Sequence, residues 1–316
     1  MDIILAGATA YRYWMRTRRG PSVPVPVPNR YSLSLMKREM ELLVAEYGLS
    51  LPIHALITSE NDRRKRDDLV CHFEATGRVS CIVPIHEGLA VSSPELCFLQ
   101  LARSSTLQEL IFYGFRLCST YRFNEFSPTG MEPIEPLMTI SSAKALLTRL
   151  SRCHGSALAR KALSLVIENA ASPKEIEAAM RLSLPYNLGG YHLNDLELNP
   201  SITLDKAGQA ALGRPTLKPD FLWRSAKVLA EYQSDLTHLD REQHAFDLKR
   251  MNVFVRMGYK QISINSEHLS SIPRMDALAK DIAKLSGKYI RPSLADYPSR
   301  QLALVHCIQR MNDERL

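Results

Sequence analysis

No stretch of this sequence approaches the ~20 consecutive apolar residues that a membrane-spanning helix needs, so no membrane partner is expected. The opening run Met1-Asp2-Ile3-Ile4-Leu5-Ala6-Gly7-Ala8 is apolar but short, carries an acid second, and has its arginines downstream. That order is the reverse of a secretory signal, and the run is expected to belong to the fold. Cysteine is sparse and unpatterned. Cys71, Cys81, Cys97, Cys118, Cys153 and Cys307 form no C-x-x-C pair, and none lies near histidines at zinc-finger spacing. The adjacent pairs Cys71-His72 and Cys153-His154 offer poor geometry for two ligands on one metal. Reduced, mostly buried thiols in a cytoplasmic protein are expected instead of a disulfide scaffold. The motifs G-x-x-x-x-G-K-[ST], H-E-x-x-H and G-x-S-x-G are also missing, which leaves nucleotide hydrolysis, zinc proteolysis and lipase-type catalysis without support. No internal repeat is visible.

What is present is a globular composition. The chain has 316 residues, 45% hydrophobic and 23% charged, which excludes a mainly disordered chain, a collagen and a coiled-coil rod and suits about two domains. Lys plus Arg number 40 against 33 Asp plus Glu, a net charge of +7 with a pI near 9.1. This modest excess fits a nucleic-acid partner, since neutralising phosphates requires it.

Pro21-Ser22-Val23-Pro24-Val25-Pro26-Val27-Pro28 excludes a helix or a central strand and reads as an extended connector. It closes an N-terminal segment, residues 1–30. Residues 31–185 read as a mostly helical domain with a few strands such as Arg78 to Pro84. A helical stretch lies around Leu35 to Tyr47. Ser93-Pro94 opens another helix, as N-cap serine and first-turn proline. Leu107 to Leu117 follows, then an amphipathic stretch Ala157 to Asn169. Ser172-Pro173-Lys174-Glu175 is a capping box, and Leu184-Pro185 ends the helix it opens. Arg63-Arg64-Lys65-Arg66, flanked by Asp62 and Asp67-Asp68, suits either a phosphate-contacting loop or a solvated turn, the acids favouring the turn. Past Tyr186-Asn187-Leu188-Gly189-Gly190, where the glycine pair reads as a turn, strand-like runs appear: Asp220 to Trp223, Val228 to Gln233 and Tyr259 to Ile264. Between the last two, Asp240 opens a long helix, with Gln243 and His244 in its first turn, and Gly258 closes it. Residues 186–316 are therefore expected to form a small α/β domain, making the chain α/β, α+β overall.

The segment from Pro219 to His238 stands above background. With a turn at Ser225-Ala226, Trp223 faces Val228 and Asp220 faces Glu231, Cβ atoms about 4.5–5.5 Å apart on one sheet face. Gln233 shares the face of Glu231, because strand side chains alternate with period two. Because Ser-Ala is not a favoured two-residue turn, a longer loop is the alternative. Two directly opposed acids repel one another, and a divalent cation removes that repulsion; hard oxygen ligands with water in the remaining positions suit Mg²⁺ or Mn²⁺. His238, beyond the strand end, is placed to donate a proton or hold a phosphate. The alternative is a surface hairpin whose acids point at solvent.

The segment resembles the PD-(D/E)xK nuclease superfamily, in particular the branch related to very-short-patch mismatch-repair endonucleases. That branch carries P-D-F-x-W, then E-x-D-G/S, a histidine a few residues later, and a helix with D-x-x-R followed by glycine. Here stand Pro219-Asp220-Phe221 with Trp223, Glu231-Tyr232-Gln233-Ser234, His238, Asp247, Arg250 and Gly258. The likeness covers about the last third of the chain. It implies a restriction-endonuclease-like domain with a mixed sheet, Asp220 and Glu231 as metal ligands, His238 in the active site, and Asp247 with Arg250 as a helical pair closing it. Being three apart, those two can equally form a surface ion pair. Arg224, Lys227 and Arg250 are the candidate DNA contacts. Gln233 departs from the pattern, where the branch has an acid and the wider superfamily a lysine. Many members add an acid from an upstream helix; Glu175 and Glu177 are nearby, and neither is assigned.

Gly88-Leu89-Ala90-Val91-Ser92-Ser93-Pro94-Glu95-Leu96 is similar to the middle of abortive-infection type IV antitoxin-like proteins, and Ala8-Thr9-Ala10-Tyr11-Arg12-Tyr13-Trp14 to their start. This likeness implies an N-terminal nucleic-acid-binding or sensing module. Two functions follow as expectations. One is a Mg²⁺- or Mn²⁺-dependent DNA endonuclease in phage defence or a toxin–antitoxin setting. The other is a nuclease fold that has lost cleavage and serves as a DNA-binding regulator or antitoxin, with a cognate toxin or a second copy of the chain as further partner.

Overall fold

A computed structural model describes residues 3–17, 23–28, 31, 33–34, 37–74, 76–233 and 241–313, without the side chains of residues 37, 241–245 and 247. The chain is α/β and divides into two compact units, the first running to Val166 and the second from Ile167 to Asp313. The expected boundary at 185/186 falls inside the second unit. Among the described residues no helix is long and apolar enough to cross a membrane.

The first unit comprises β1 (Ile3–Leu5), α1 (Gly7–Arg16), β2 (Val25–Pro26), α2 (Lys37–Tyr47), β3 (Ile53–Ile57), β4 (Leu69–Phe73), β5 (Ser80–His86) and β6 (Leu89–Ser92). It continues with α3 (Pro94–Leu101), α4 (Leu107–Leu117), β7 (Tyr121–Phe123), β8 (Met131–Pro133), α5 (Ile140–Arg149) and α6 (Ser156–Leu163). Helices supply more residues than strands, but the framework is a six-stranded sheet ordered β2-β5-β6-β1-β3-β4, which the expectation of a mostly helical domain missed. Its strands are short, and several pair with partners distant in sequence. β1, for example, lies parallel to β6 with Ile3 opposite Leu89. Within the opening apolar run, Ile3–Leu5 are thus an interior strand, each residue buried. Val25 and Pro26 pair with β5 at the sheet edge, the position in which a strand tolerates proline, so the proline-rich segment contributes an edge strand rather than only a connector.

The helix starts follow the local chemistry. Ser93 Oγ accepts the Leu96 N–H with Pro94 in the first turn, and Thr106 with Glu109 forms a reciprocal capping box on α4. The basic run near residue 64 is a turn stitched to local acids: Arg63 pairs with Glu60 and Arg66 grips both oxygens of Asp68. None of the six cysteines forms a disulfide.

The second unit comprises α7 (Pro173–Ser183), β9 (Leu196–Leu198), β10 (Ile202–Thr203), α8 (Lys206–Leu212), β11 (Thr216–Leu217), β12 (Phe221–Trp223), β13 (Val228–Gln233), α9 (Arg241–Arg256) and β14 (Lys260–Asn265). After these come α10 (Ser266–Ser270), α11 (Ile272–Leu285) and α12 (Tyr297–Asp313). Its four-stranded sheet is ordered β14-β13-β12-β9. β12 and β13 form the antiparallel hairpin, and α9 is the crossover that returns the chain to lay β14 parallel to β13. Leu222 and Leu229 project to one face and pack with Val253 and Phe254 of α9. By period-two alternation, Asp220 and Glu231 belong to that same face, one step beyond the apolar core. Gly189 adopts a left-handed conformation at φ 87°, which confirms a turn at the glycine pair.

Candidate functional site

The hairpin register pairs Trp223 with Val228, Leu222 with Leu229 and Phe221 with Ala230; continued by one pair it sets Asp220 opposite Glu231. The turn differs from the tight two-residue form. Arg224–Ala226 makes a single 3-10 turn, and Lys227 closes it in the left-handed region at φ 49°. This longer turn leaves the strand pairing unaltered. Asp220 is held by the Tyr232 N–H, which donates to its Oδ2 at 2.7 Å. Arg250 Nη2 reaches Glu231 Oε1 at 2.7 Å and also donates to the Lys218 carbonyl at 2.8 Å.

A third acid joins from α7. Ser172 caps that helix by accepting the Glu175 N–H at 3.2 Å. The Glu175 side chain does not complete the expected box: its Oε2 accepts the N–H of Ala171 at 2.8 Å, and its Oε1 accepts the Ser172 hydroxyl at 2.9 Å. Asn199, in the left-handed conformation that asparagine tolerates, ties this acid to the hairpin. Its Nδ2 donates to Glu175 Oε2 at 2.6 Å, and its N–H donates to the Asp220 carbonyl at 3.0 Å.

All three carboxyls are raised from their ordinary values. Burial, and then the charge of Asp220, push Glu175 up to about 7, against the pull of its three hydrogen bonds. Burial, and then Asp220, also raise Glu231, outweighing the Arg250 guanidinium. Burial raises Asp220 itself, opposed by the Tyr232 N–H and by Arg250. The acids thus disfavour one another's ionisation in a partly dehydrated setting, the arrangement typical of functional carboxyls.

No family model, curated protein or solved structure matches the chain. What the site can do chemically rests on its own groups.

Of the residues expected from the sequence, Asp220, Glu231 and Arg250 converge. Gln233 ends β13 with its side chain exposed, opposite Asn265 in the parallel register. Arg224 and Lys227 occupy the opposite end of the hairpin from the acids. Arg224 grips both oxygens of Glu197, at 2.7 and 2.6 Å, while Lys227 Nζ reaches the Met257 carbonyl at 3.5 Å and lies over the Tyr259 ring. His238 lies outside the described residues, as does the side chain of Asp247, so the expected Asp247–Arg250 pair is not described. Glu177 is engaged by Lys174 and Arg181 on its own helix. In the sequence Glu175 and Glu177 are equivalent candidates for the upstream acid; the contact of Glu175 with Asn199 distinguishes it. Asn199 carried no signal at all.

Among the described residues no group of three or more His, Cys, Asp and Glu side chains is arranged to hold a metal ion. Asp220 and Glu231 nevertheless fit a hard divalent cation. They are two carboxylates in mutual repulsion, and Mg²⁺ is commonly bound through one or two carboxylates, with water and substrate phosphates completing the shell.

Proposed function

We propose that the second unit is a restriction-endonuclease-like domain that hydrolyses DNA phosphodiesters with Mg²⁺ or Mn²⁺ held by Asp220 and Glu231. The observation that carries this reading is the pair of half-buried carboxyls on the β12–β13 hairpin, Asp220 just before β12 and Glu231 within β13. Each is raised above its ordinary value, with buried Glu175 from α7 close enough for Asp220's charge to raise it further. The mixed sheet with an antiparallel hairpin and a β–α–β crossover is in keeping with the domain that the resemblance implies. The net charge of +7 suits a polyanionic substrate. When bound, the divalent ion supplies a water of lowered pKa and stabilises charge on the phosphodiester. Asp220 and Glu231 would hold that ion, and Asn199 keeps the Asp220 backbone and the Glu175 side chain in register. Arg250 offers positive charge to the same phosphate, and Gln233 presents an uncharged amide where other members carry an acid or a lysine. His238 is the proposed proton donor to the leaving oxygen. DNA is the proposed partner and the cytoplasm the proposed compartment.

A second reading is favoured by Gln233 and by the Arg250–Glu231 ion pair: a nuclease fold without cleavage, acting as a DNA-binding regulator or antitoxin. Supercoiled plasmid incubated with the protein and Mg²⁺ or Mn²⁺, beside Asp220→Ala, separates the two. Nicking that vanishes in the variant is the expected result, and Gln233→Asp is expected to increase it. Equal background from both proteins, with DNA retarded on a gel, favours the regulator.

A further inference from the structure

We propose that Arg250 is a built-in counter-ion of the acidic pair, and that a divalent cation and the Arg250–Glu231 ion pair exclude one another. This inference rests on the metal-site reading of Asp220 and Glu231. Three features lead to it. First, Arg250 Nη2 lies 2.7 Å from Glu231 Oε1, so the guanidinium occupies the side of the carboxylate that faces α9. A divalent ion gripped by the same carboxylate meets a fixed positive charge at contact distance, and two such cations repel strongly in a half-buried setting.

Second, the contact is of a releasable kind. Arg224 with Glu197, Arg66 with Asp68 and Arg63 with Glu60 each use Nε and Nη2 against both carboxylate oxygens, the planar two-point match that makes arginine pairs strong. Arg250 uses Nη2 alone and shares it with the Lys218 carbonyl. Its Nε is buried with no hydrogen-bond partner among the described residues. The guanidinium is therefore incompletely satisfied where it stands, and an incoming phosphate oxygen offers that nitrogen an acceptor.

Third, the backbone that carries Arg250 is packed in the core while its side chain reaches the surface beside the Phe254 ring. Val253 and Phe254, the next turn of α9, are fully packed in the core, whereas the Arg250 side chain keeps a quarter of its surface exposed. In the proposed release the Arg250 side chain turns away from Glu231 while α9 stays in place, giving up or re-forming its bond to the Lys218 carbonyl. The consequence is a site in which metal is weakly held until Arg250 finds another anion. The phosphodiester of the substrate is that anion, which would couple metal loading to nucleic-acid binding.

The test is Mn²⁺ affinity of the full chain without DNA, measured by titration calorimetry for wild type, Arg250→Met and Arg250→Lys, with folding checked by circular dichroism. Arg250→Met is expected to tighten Mn²⁺ binding by about tenfold or more. Arg250→Lys, which keeps the charge, is expected to stay close to wild type. In wild type, the Arg250 Nε–H resonance, assigned by its loss in Arg250→Lys, is expected to move on Mg²⁺ addition, and this arm holds even if Arg250→Met does not fold. Equal Mn²⁺ affinity in folded wild type and Arg250→Met, or a resonance unmoved at Mg²⁺ saturation, overturns the counter-ion role and leaves the metal site standing. No Mn²⁺ binding by any of the three proteins overturns both.

Discussion

Replacing Glu175 by glutamine tests whether the acids truly burden one another. Glutamine keeps the shape and the hydrogen bonds. Its carbonyl oxygen can take the place of Oε2 and accept from Ala171 and Asn199, and its amide can donate to the Ser172 hydroxyl in place of Oε1. What changes is the charge. A carboxyl raised from 4.5 to about 7 binds its proton more tightly in the folded state than in the unfolded one. Its protonated form therefore supports the fold fully below pH 4.5. That support is lost as pH rises to about 7, and the loss amounts to roughly 3 kcal/mol. In the metal-free protein, Glu175→Gln is expected to match wild type at pH 4 and to exceed its stability by roughly 3 kcal/mol at pH 8. Urea unfolding in the presence of a chelator, followed by Trp223 fluorescence in a Trp14→Phe background, reads this unit, because those are the only two tryptophans and they lie in different units. A stability gap that does not grow with pH, or a variant less stable than wild type at pH 8, would refute the claim that a buried, repelled carboxyl sits there.

Two further outcomes follow from other parts of the molecule. In the first unit, His54 Nδ1 and His72 Nε2 lie 2.8 Å apart; burial, His54 and then nearby arginines push His72 down to about 4. Because its folded value is lowered, the support of the neutral imidazole is present above about 6.5 and lost as pH falls towards 4. His72→Asn is expected to flatten that acid limb when Trp14 fluorescence is followed in a Trp223→Phe background; an unchanged limb would count against it. In the second unit, a Cβ on Gly190 would lie 2.1 Å from the Leu184 carbonyl oxygen, a clash with backbone that cannot be relieved by a rotamer. Gly190→Ala is expected to destabilise the unit by at least about 2 kcal/mol, visible as faster limited proteolysis; wild-type resistance would show that the close approach is dispensable.

The amino-acid sequence by itself determined the hairpin and its two opposed acids, because both depend on local rules. Period-two alternation on Val228–Gln233 and a short connection fix which residue faces which, and the longer 3-10 turn did not disturb that. Helix starts at Ser93 and Ser172 were similarly local, since a cap is a contact between residues three apart. Tertiary structure alone decided the rest. The six-stranded sheet of the first unit depends on pairings such as Ile3 with Leu89, for which three-residue strands leave no periodic trace. Glu175 joined Asp220 only because Asn199 bonds to both across the fold, and Arg250 met Glu231 only because α9 crosses over the hairpin and packs on Leu222 and Leu229. In each case the energy lies in contacts between residues far apart in the chain. A local pattern reports which side chains share a face, but the packing of whole elements decides which charges are brought together and shielded from water.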